Sequence, residues 1–175
     1  IDQTTDSFGG VDILVNNAAV RSNIPFLEID QEEWSRIAGT CLQGTLNLTR
    51  ECIPLMIERG GGAIVSLAGL SSYKGSVGRS HVMATKDGLM GLTRGIAIEF
   101  GEKNIRANAA VVGRFDTVRS GNSLQTGFTT EPDIPLGRMG VPQDMADVIR
   151  FLVGPGSAYI TGQTIHINGG AYCPH

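Results

Sequence analysis

The sequence is poor in aromatic and charged residues and has no long uncharged apolar run. Aromatic residues make up 6% and charged residues 18% of the 175, which excludes a coiled coil and a charged disordered chain. No apolar run approaches the roughly 18 residues that a membrane-spanning helix needs. The net charge of -3 leaves no basic surplus for nucleic acid or an acidic membrane surface. We therefore expect a soluble, cytoplasmic protein with no nucleic-acid partner and no membrane partner.

Cysteine is also scarce. Cys41, Cys52 and Cys173 are too few for a disulfide framework, and they form no cluster typical of a metal site. Cys41 and Cys52 lie on one predicted helix, about 16 Å apart at about 1.5 Å per residue, which is too far for a disulfide. We predict free thiols and no metal.

Glycine, in contrast, is abundant, with 24 residues. Short apolar runs bounded by turn residues alternate with longer segments of helical periodicity. The runs at 11–17, 63–67, 105–112 and 163–167 predict strands, and the segments 30–58, 80–100 and 142–154 predict helices. This alternation indicates an α/β fold with a parallel sheet. We expect one domain over residues 1–175, in which the long loop 113–141 is either a substrate lid or a disordered insertion.

Several motifs follow one another in a characteristic order. They are FGGVDILVNNAA at 8–19, KDGL at 86–89, RANA at 106–109, PLGRMG at 135–140, YITGQ at 159–163 and GG at 169–170. Together they resemble the C-terminal two-thirds of a short-chain dehydrogenase/reductase. The resemblance implies a Rossmann-like, doubly wound parallel sheet that holds NAD(P) and passes hydride between nicotinamide and a carbonyl or alcohol carbon.

The resemblance also implies βαβ units before Ile1, with a glycine-rich turn that receives the pyrophosphate at a helix N-terminus. The sequence starts without methionine, in a helix-like segment that runs into Gly9-Gly10, so we expect either that further residues precede Ile1 or that the protein is processed or degenerate. No glycine cluster within the chain replaces that turn, because the glycines at 60–62 follow a predicted helix instead of opening one.

The positions that carry the chemistry in this family are mostly changed here. A tyrosine four residues before the family's lysine falls at Val82, with Lys86 retained. The serine that orients the substrate oxygen falls at Gly69, and the helix asparagine of the proton relay falls at Cys41. In the family, the spacing of four residues places the tyrosine and lysine side chains on one helix face, where the lysine ammonium lowers the pKa of the tyrosine phenol. A valine exchanges no proton. We therefore predict degenerate catalytic positions at Cys41, Gly69 and Val82, and a remnant at Lys86.

The residues that border the cofactor in the family are expected here as vestiges. They are Asn17 and Ala18 after the first strand, Lys86, and Thr117 beside the nicotinamide amide. If the chain is a non-catalytic subunit, we expect it to bind no cofactor by itself.

Four other residues lie near the changed positions. His81 adjoins Val82, but one residue turns it about 100° around the helix, so we interpret it as a surface or helix-start histidine. Ser71, Ser72 and Tyr73 lie in the predicted loop at 68–79, where serine and tyrosine are ordinary turn residues.

Three functions fit these observations. The favoured hypothesis is a non-catalytic pseudoenzyme subunit that pairs with a catalytically competent chain of the family. Pairing would use the helices at 32–58 and 80–100 and the C-terminal strand, with NAD(P) in the partner and an acyl-CoA-type hydroxy substrate. The alternatives are an active NAD(P)-dependent short-chain oxidoreductase with further N-terminal residues and a relocated proton donor, and a non-enzymatic binding or regulatory module.

Overall fold

The computed structural model describes residues 1–116 and 134–173. Its α-helices are α1 (Asp2–Phe8), α2 (Gln31–Ala38), α3 (Gly44–Glu58), α4 (Ser71–Lys74), α5 (Ser80–Phe100) and α6 (Pro142–Val153). Its strands are β1 (Ile13–Asn16), β2 (Gly62–Gly69), β3 (Ile105–Val112) and β4 (Thr164–Ile167). The predicted strands and long helices are confirmed with shifts of a few residues at their ends. The predicted loop 68–79 is wrong in part, because β2 continues to Gly69 and α4 follows it.

The four strands form one parallel sheet in the order β1-β2-β3-β4, as an α/β fold predicts. Val15 lies opposite Val65 in the first pair, Val65 opposite Asn108 in the second, and Ala110 opposite Ile165 in the third. Near-continuous apolar strands such as β2 are typical of sheets covered on both faces. Because all the strands point the same way, their carboxyl ends share one edge, which is where open α/β sheets bind ligands.

Helices cover both faces of this sheet. Ile64 and Ala107 belong to a core cluster on the face of α3 and α5. Their neighbours along the strands point the other way, so that Val65 and Ala110 pack with Leu152 of α6. The alternation of side chains along each strand therefore assigns one helical layer to each face.

A π-helical turn (Gly39–Gln43) joins α2 to α3 and changes which helix face is buried. Leu48, an apolar residue that follows this turn, is 44% exposed. Thr49, next to Leu48, is buried instead, with 2% exposed. One wide turn rotates the following residues about the helix axis, so a stripe drawn at constant α-helical spacing misplaces residues beyond it.

The RANA and YITGQ motifs connect β3 to the approach of β4. Asn108 is 1% exposed. Its amide nitrogen donates to the Ile160 carbonyl at 2.9 Å, and its oxygen accepts from the Gln163 amide at 3.0 Å. These two bonds satisfy a buried side chain and hold the segment before β4 against the sheet.

The predicted lid at 113–141 lies largely outside the described residues, and Thr117 lies outside them entirely. At its two ends, the Asp116 amide donates to the Gly140 carbonyl at 2.8 Å, so the base of this segment is closed. The lid role stays a prediction.

None of the helices in residues 1–116 and 134–173 is both long and apolar enough to cross a membrane. All three cysteines are free, as predicted. No group of three or more histidine, cysteine or acidic side chains in the described ranges is placed to hold a metal ion.

The outer edge of β1 is the most exposed part of the sheet. β1 pairs with β2 on one side, and no other described strand pairs with it. Ile13 and Val15 are 49% and 38% exposed. Unpaired apolar edges associate with other chains. We therefore expect the purified 175-residue chain to be oligomeric or to aggregate in light scattering.

A lysine at this edge is expected to reduce that association. Val15→Lys places a charge on β1 and should lower the apparent mass. Val77→Lys, at an apolar residue that is 95% exposed in the loop before α5, is the matched control and should leave it unchanged. A monodisperse monomer of the unmodified chain contradicts the prediction.

Candidate functional site

The candidate site lies at the carboxyl ends of β1 and β2, where α5 crosses the edge of the sheet. Asn16 ends β1 and is buried, with its amide nitrogen donating to Ser66 Oγ at 3.2 Å and Thr49 Oγ1 at 3.4 Å. This asparagine joins β1, β2 and α3. Asn17 and Ala18 follow it and are exposed at the same edge.

Lys86 of α5 is buried, with 8% exposed. Its Nζ donates to the Leu67 carbonyl at 2.7 Å, near the carboxyl end of β2. Burial lowers the pKa of the Lys86 ammonium below its ordinary value, Cys41 acts in the opposite direction, and the Arg21 cation lowers it further. A lysine with a lowered pKa exchanges protons more readily near neutral pH.

Val82 lies one helix turn before Lys86 and is 6% exposed. Gly69 ends β2, two residues after the carbonyl that holds the ammonium. The structure thus brings Val82, Gly69 and Lys86 to one end of β2 and α5, as the resemblance implies. At neither changed position does a side chain carry an exchangeable proton.

Cys41 lies in the middle of the π-helical turn and is fully buried. Its thiol donates weakly to the Val20 carbonyl, with 3.6 Å between Sγ and O. π-helical turns inside α-helices are frequent at functional sites. The helix therefore widens at the position of the family's asparagine although the amide is replaced by a thiol.

His81 lies in a partly buried polar cluster with Ser22 and Glu33. The imidazole is 2% exposed, so its interpretation as a surface residue is wrong, whereas its position at the start of α5 is confirmed. Its Nε2 hydrogen-bonds Ser22 Oγ at 2.6 Å and lies 3.5 Å from Glu33 Oε1, while Ser22 Oγ donates to the same carboxylate. Arg36 also binds this carboxylate, and its hydrogen bond lowers the pKa of Glu33 to about 2.

The cluster explains why histidine is buried at this helix start. Residues 20–24 cross the N-terminal end of α5, and the Ile24 amide donates to the Gly78 carbonyl at 2.8 Å. His81 and Glu33 therefore fasten a loop, with Nδ1 of the imidazole left without a partner in the described part of the chain. Because Ser22, Glu33 and His81 are far apart in sequence, no local spacing could have predicted their contact.

Tyr73 does not occupy the position left by the family's tyrosine. Its hydroxyl contacts Met90 Sδ at 3.1 Å, and Met90 follows Lys86 by one helix turn while Val82 precedes it by one. The ring packs against His166 and Tyr172, with centroid separations of 4.5 and 5.3 Å. Tyr73 is therefore a packed residue of α4, and the prediction of an ordinary turn residue is wrong for it.

The residues present suit one end of a dinucleotide better than the other. Asn17, Ala18 and Lys86 surround the strand ends where the resemblance implies the nicotinamide ribose, and Gly69 leaves open space beside them. A pyrophosphate cradle requires glycines between a strand and a helix N-terminus. The glycines at 60–62 instead follow α3, and Gly9-Gly10 follow α1. The described residues therefore include those that the resemblance places at the ribose and nicotinamide, and they contain no phosphate cradle.

Comparison with known proteins gives consistent matches along nearly the whole chain. The family model described as Enoyl-(Acyl carrier protein) reductase matches residues 1–172. An uncharacterized short-chain type dehydrogenase/reductase of Sinorhizobium fredii is 36% identical over 173 residues, which are 97% of this chain and 68% of that protein. The 3-oxoacyl-[acyl-carrier-protein] reductase of Vibrio cholerae is 35% identical over 170 residues, covering 96% of this chain and 69% of that protein.

The solved structures agree with the sequence matches. A crystal structure from Sinorhizobium meliloti 1021, provisionally described as a short-chain alcohol dehydrogenase, superposes with a TM-score of 0.91 at 35% identity. The superposition covers 97% of this chain and 69% of that one. The chain therefore spans somewhat more than two thirds of the length of each of these proteins.

Proposed function

This chain belongs to the short-chain dehydrogenase/reductase family, and on that premise we propose that it is an NAD(P)-dependent oxidoreductase in which Lys86 exchanges the proton. The proposal adopts the active-enzyme alternative over the favoured pseudoenzyme. Similar chains are reductases and dehydrogenases by name, and the match extends over nearly the whole of this chain.

The geometry of Lys86 carries the proposal. Burying an ammonium with a single carbonyl partner reduces the stability of the fold. Proteins keep such destabilising groups mainly at functional sites. With valine at position 82, Lys86 is the proton-bearing side chain that remains of the family's set. Its lowered pKa suits direct proton transfer.

In this mechanism the chain's own residues hold the substrate oxygen and supply its proton. When bound, the reduced nicotinamide supplies a hydride to the carbonyl carbon. Lys86 Nζ, held by the Leu67 carbonyl, donates a proton to the carbonyl oxygen, so the carbonyl becomes an alcohol and the amine becomes neutral. The amine regains its proton from water. In the oxidative direction the neutral amine accepts the alcohol proton.

Asn17, Ala18 and Lys86 are the described residues that would border the nicotinamide ribose. For the substrate, we propose a 3-oxo or 3-hydroxy group on an acyl thioester, by analogy with the Vibrio cholerae reductase. The similarity to that reductase supports the class of substrate, an acyl thioester, and no particular acyl chain.

Turnover by the purified protein tests the function. NADH or NADPH oxidation is followed by absorbance with a 3-oxoacyl thioester, beside the Vibrio cholerae reductase as reference. Because one positioned acid typically contributes about 10²–10⁴-fold, we expect protein-dependent turnover slower than the reference by roughly that factor. No turnover with either nucleotide overturns the proposal.

A non-catalytic subunit remains the second candidate because Val82, Gly69 and Cys41 supply none of the family's side-chain groups. We propose that such a partner would cover α5, where Gly91 and Gly95 are exposed and Ile98 is 87% exposed. It would also cover a shallow groove on α3 and the end of α5, lined by Thr49, Arg50, Ile53, Pro54, Ile57, Glu58 and Phe100. A second, tyrosine-bearing chain of the family in fixed ratio, seen by native mass spectrometry, favours this candidate.

A further inference from the structure

The space beside Gly69 has a hydroxyl group on its border. A Cβ built on Gly69 would lie 3.7 Å from Ser71 Oγ, and no other atom beyond its chain neighbours lies within 4 Å. The hydroxyl of a serine at position 69 would extend one bond beyond that Cβ. Ser71 therefore presents a hydroxyl next to the volume that the family's serine side chain occupies.

That hydroxyl is available to a ligand. Ser71 is half-buried at the start of α4, and its backbone is fixed by the Gly75 amide, which donates to the Ser71 carbonyl at 2.8 Å. Within residues 1–116 and 134–173, Ser71 Oγ has no hydrogen-bond partner and is not sealed from solvent. Ser72 differs, because its Oγ is buried without a partner.

Ser71 and Lys86 meet the same end of β2. The carbonyl of Leu67 holds the Lys86 ammonium, and Gly69, two residues further along the strand, borders Ser71 Oγ. An ammonium and a hydroxyl therefore both lie near the carboxyl end of β2. Donors that converge on one oxygen fix its orientation.

We propose that Ser71 Oγ contacts the substrate oxygen in place of the missing side chain at position 69 and orients that oxygen toward Lys86. The inference rests on the proposed function and names the substrate-orienting residue of that same site. Compared with the family's serine, which corresponds to position 69 at the end of β2, this hydroxyl lies two positions later, at the start of α4.

A swap of the two positions tests the proposal. Ser71→Ala should weaken binding of a 3-hydroxyacyl thioester, measured by calorimetry, and lower kcat/KM, each by about tenfold, as expected for one lost hydrogen bond. The double variant Gly69→Ser/Ser71→Ala should recover most of both losses. Position 69 accepts a side chain because the added Cβ makes an ordinary 3.7 Å contact. Ser72→Ala is the matched control and should change neither quantity.

The outcomes separate this inference from the proposed function. Turnover with unchanged ligand affinity in Ser71→Ala overturns the role of Ser71 and leaves the function standing. Ligand binding that depends on Ser71, without turnover in the unmodified protein, supports the contact and overturns the function. No detectable ligand binding by the unmodified protein overturns both. If the double variant Gly69→Ser/Ser71→Ala folds but does not recover ligand binding, then Ser71 does not replace a side chain at position 69.

Discussion

Replacing Lys86 with methionine is expected to abolish turnover and to stabilise the fold. Methionine fills a similar volume without a charge, and the replaced ammonium is 8% exposed with one carbonyl partner. Removing a buried charge is favourable, although the Leu67 carbonyl loses a hydrogen bond worth about 1 kcal/mol. We expect a net gain of about 1 kcal/mol in the free energy of unfolding, or roughly 2–4 °C in Tm.

The stability gain should depend on pH in a defined direction. Burial lowers the pKa of Lys86 in the folded protein below its value in the unfolded chain. The unfolded chain therefore binds more protons between these two pKa values, and the ammonium's penalty is full below the folded pKa and lost above the unfolded one. The advantage of Lys86→Met is thus greatest at low pH and shrinks as pH rises, which urea unfolding at several pH values would measure.

Two further variants control for charge and for lysine content. Lys74→Met removes an exposed lysine from α4 and should leave turnover and stability unchanged. Lys86→Arg keeps a cation that does not deprotonate near neutral pH, so it should lose turnover without gaining stability. Turnover retained in Lys86→Met excludes Lys86 as the proton donor.

The sequence predicts the relative positions of site residues when they belong to the same helix or strand. Val82 and Lys86 share a face of α5 because four residues make about one helical turn. Alternating apolar runs likewise predicted the parallel sheet, since strands buried on both faces have that composition. Gly69 could be placed because β2 ends there in the resemblance and in the structure.

Contacts between distant segments could not be predicted in this way. His81 is buried because Ser22 and Glu33 reach it from a loop and from α2, and no periodicity encodes that meeting. The exposure of Leu48 follows from a π-helical turn that residue types do not reveal. Ser71 was interpreted as a turn residue because its distance from Gly69 depends on how the chain turns between β2 and α4.

Val82→Tyr is expected to increase turnover by about 10²–10⁴-fold, the usual contribution of a positioned acid. The phenol would lie one helix turn from Lys86, where the ammonium lowers its pKa. Proton donation would pass from the amine to the phenol, so the midpoint of the pH–rate profile should move. Val82 is 6% exposed, so the larger ring should cost about 1–3 kcal/mol of stability, which thermal unfolding would measure.

Met83→Tyr is the matched control for this gain. It introduces the same phenol one residue along α5, about 100° around the helix from position 82 and off the face of Lys86. It should lower stability without raising turnover. If Val82→Tyr folds and leaves the rate and its pH dependence unchanged, then position 82 does not face the reacting oxygen. Equal increases in turnover for Val82→Tyr and Met83→Tyr would lead to the same conclusion. A phenol that is effective at either position does not depend on a place beside Lys86.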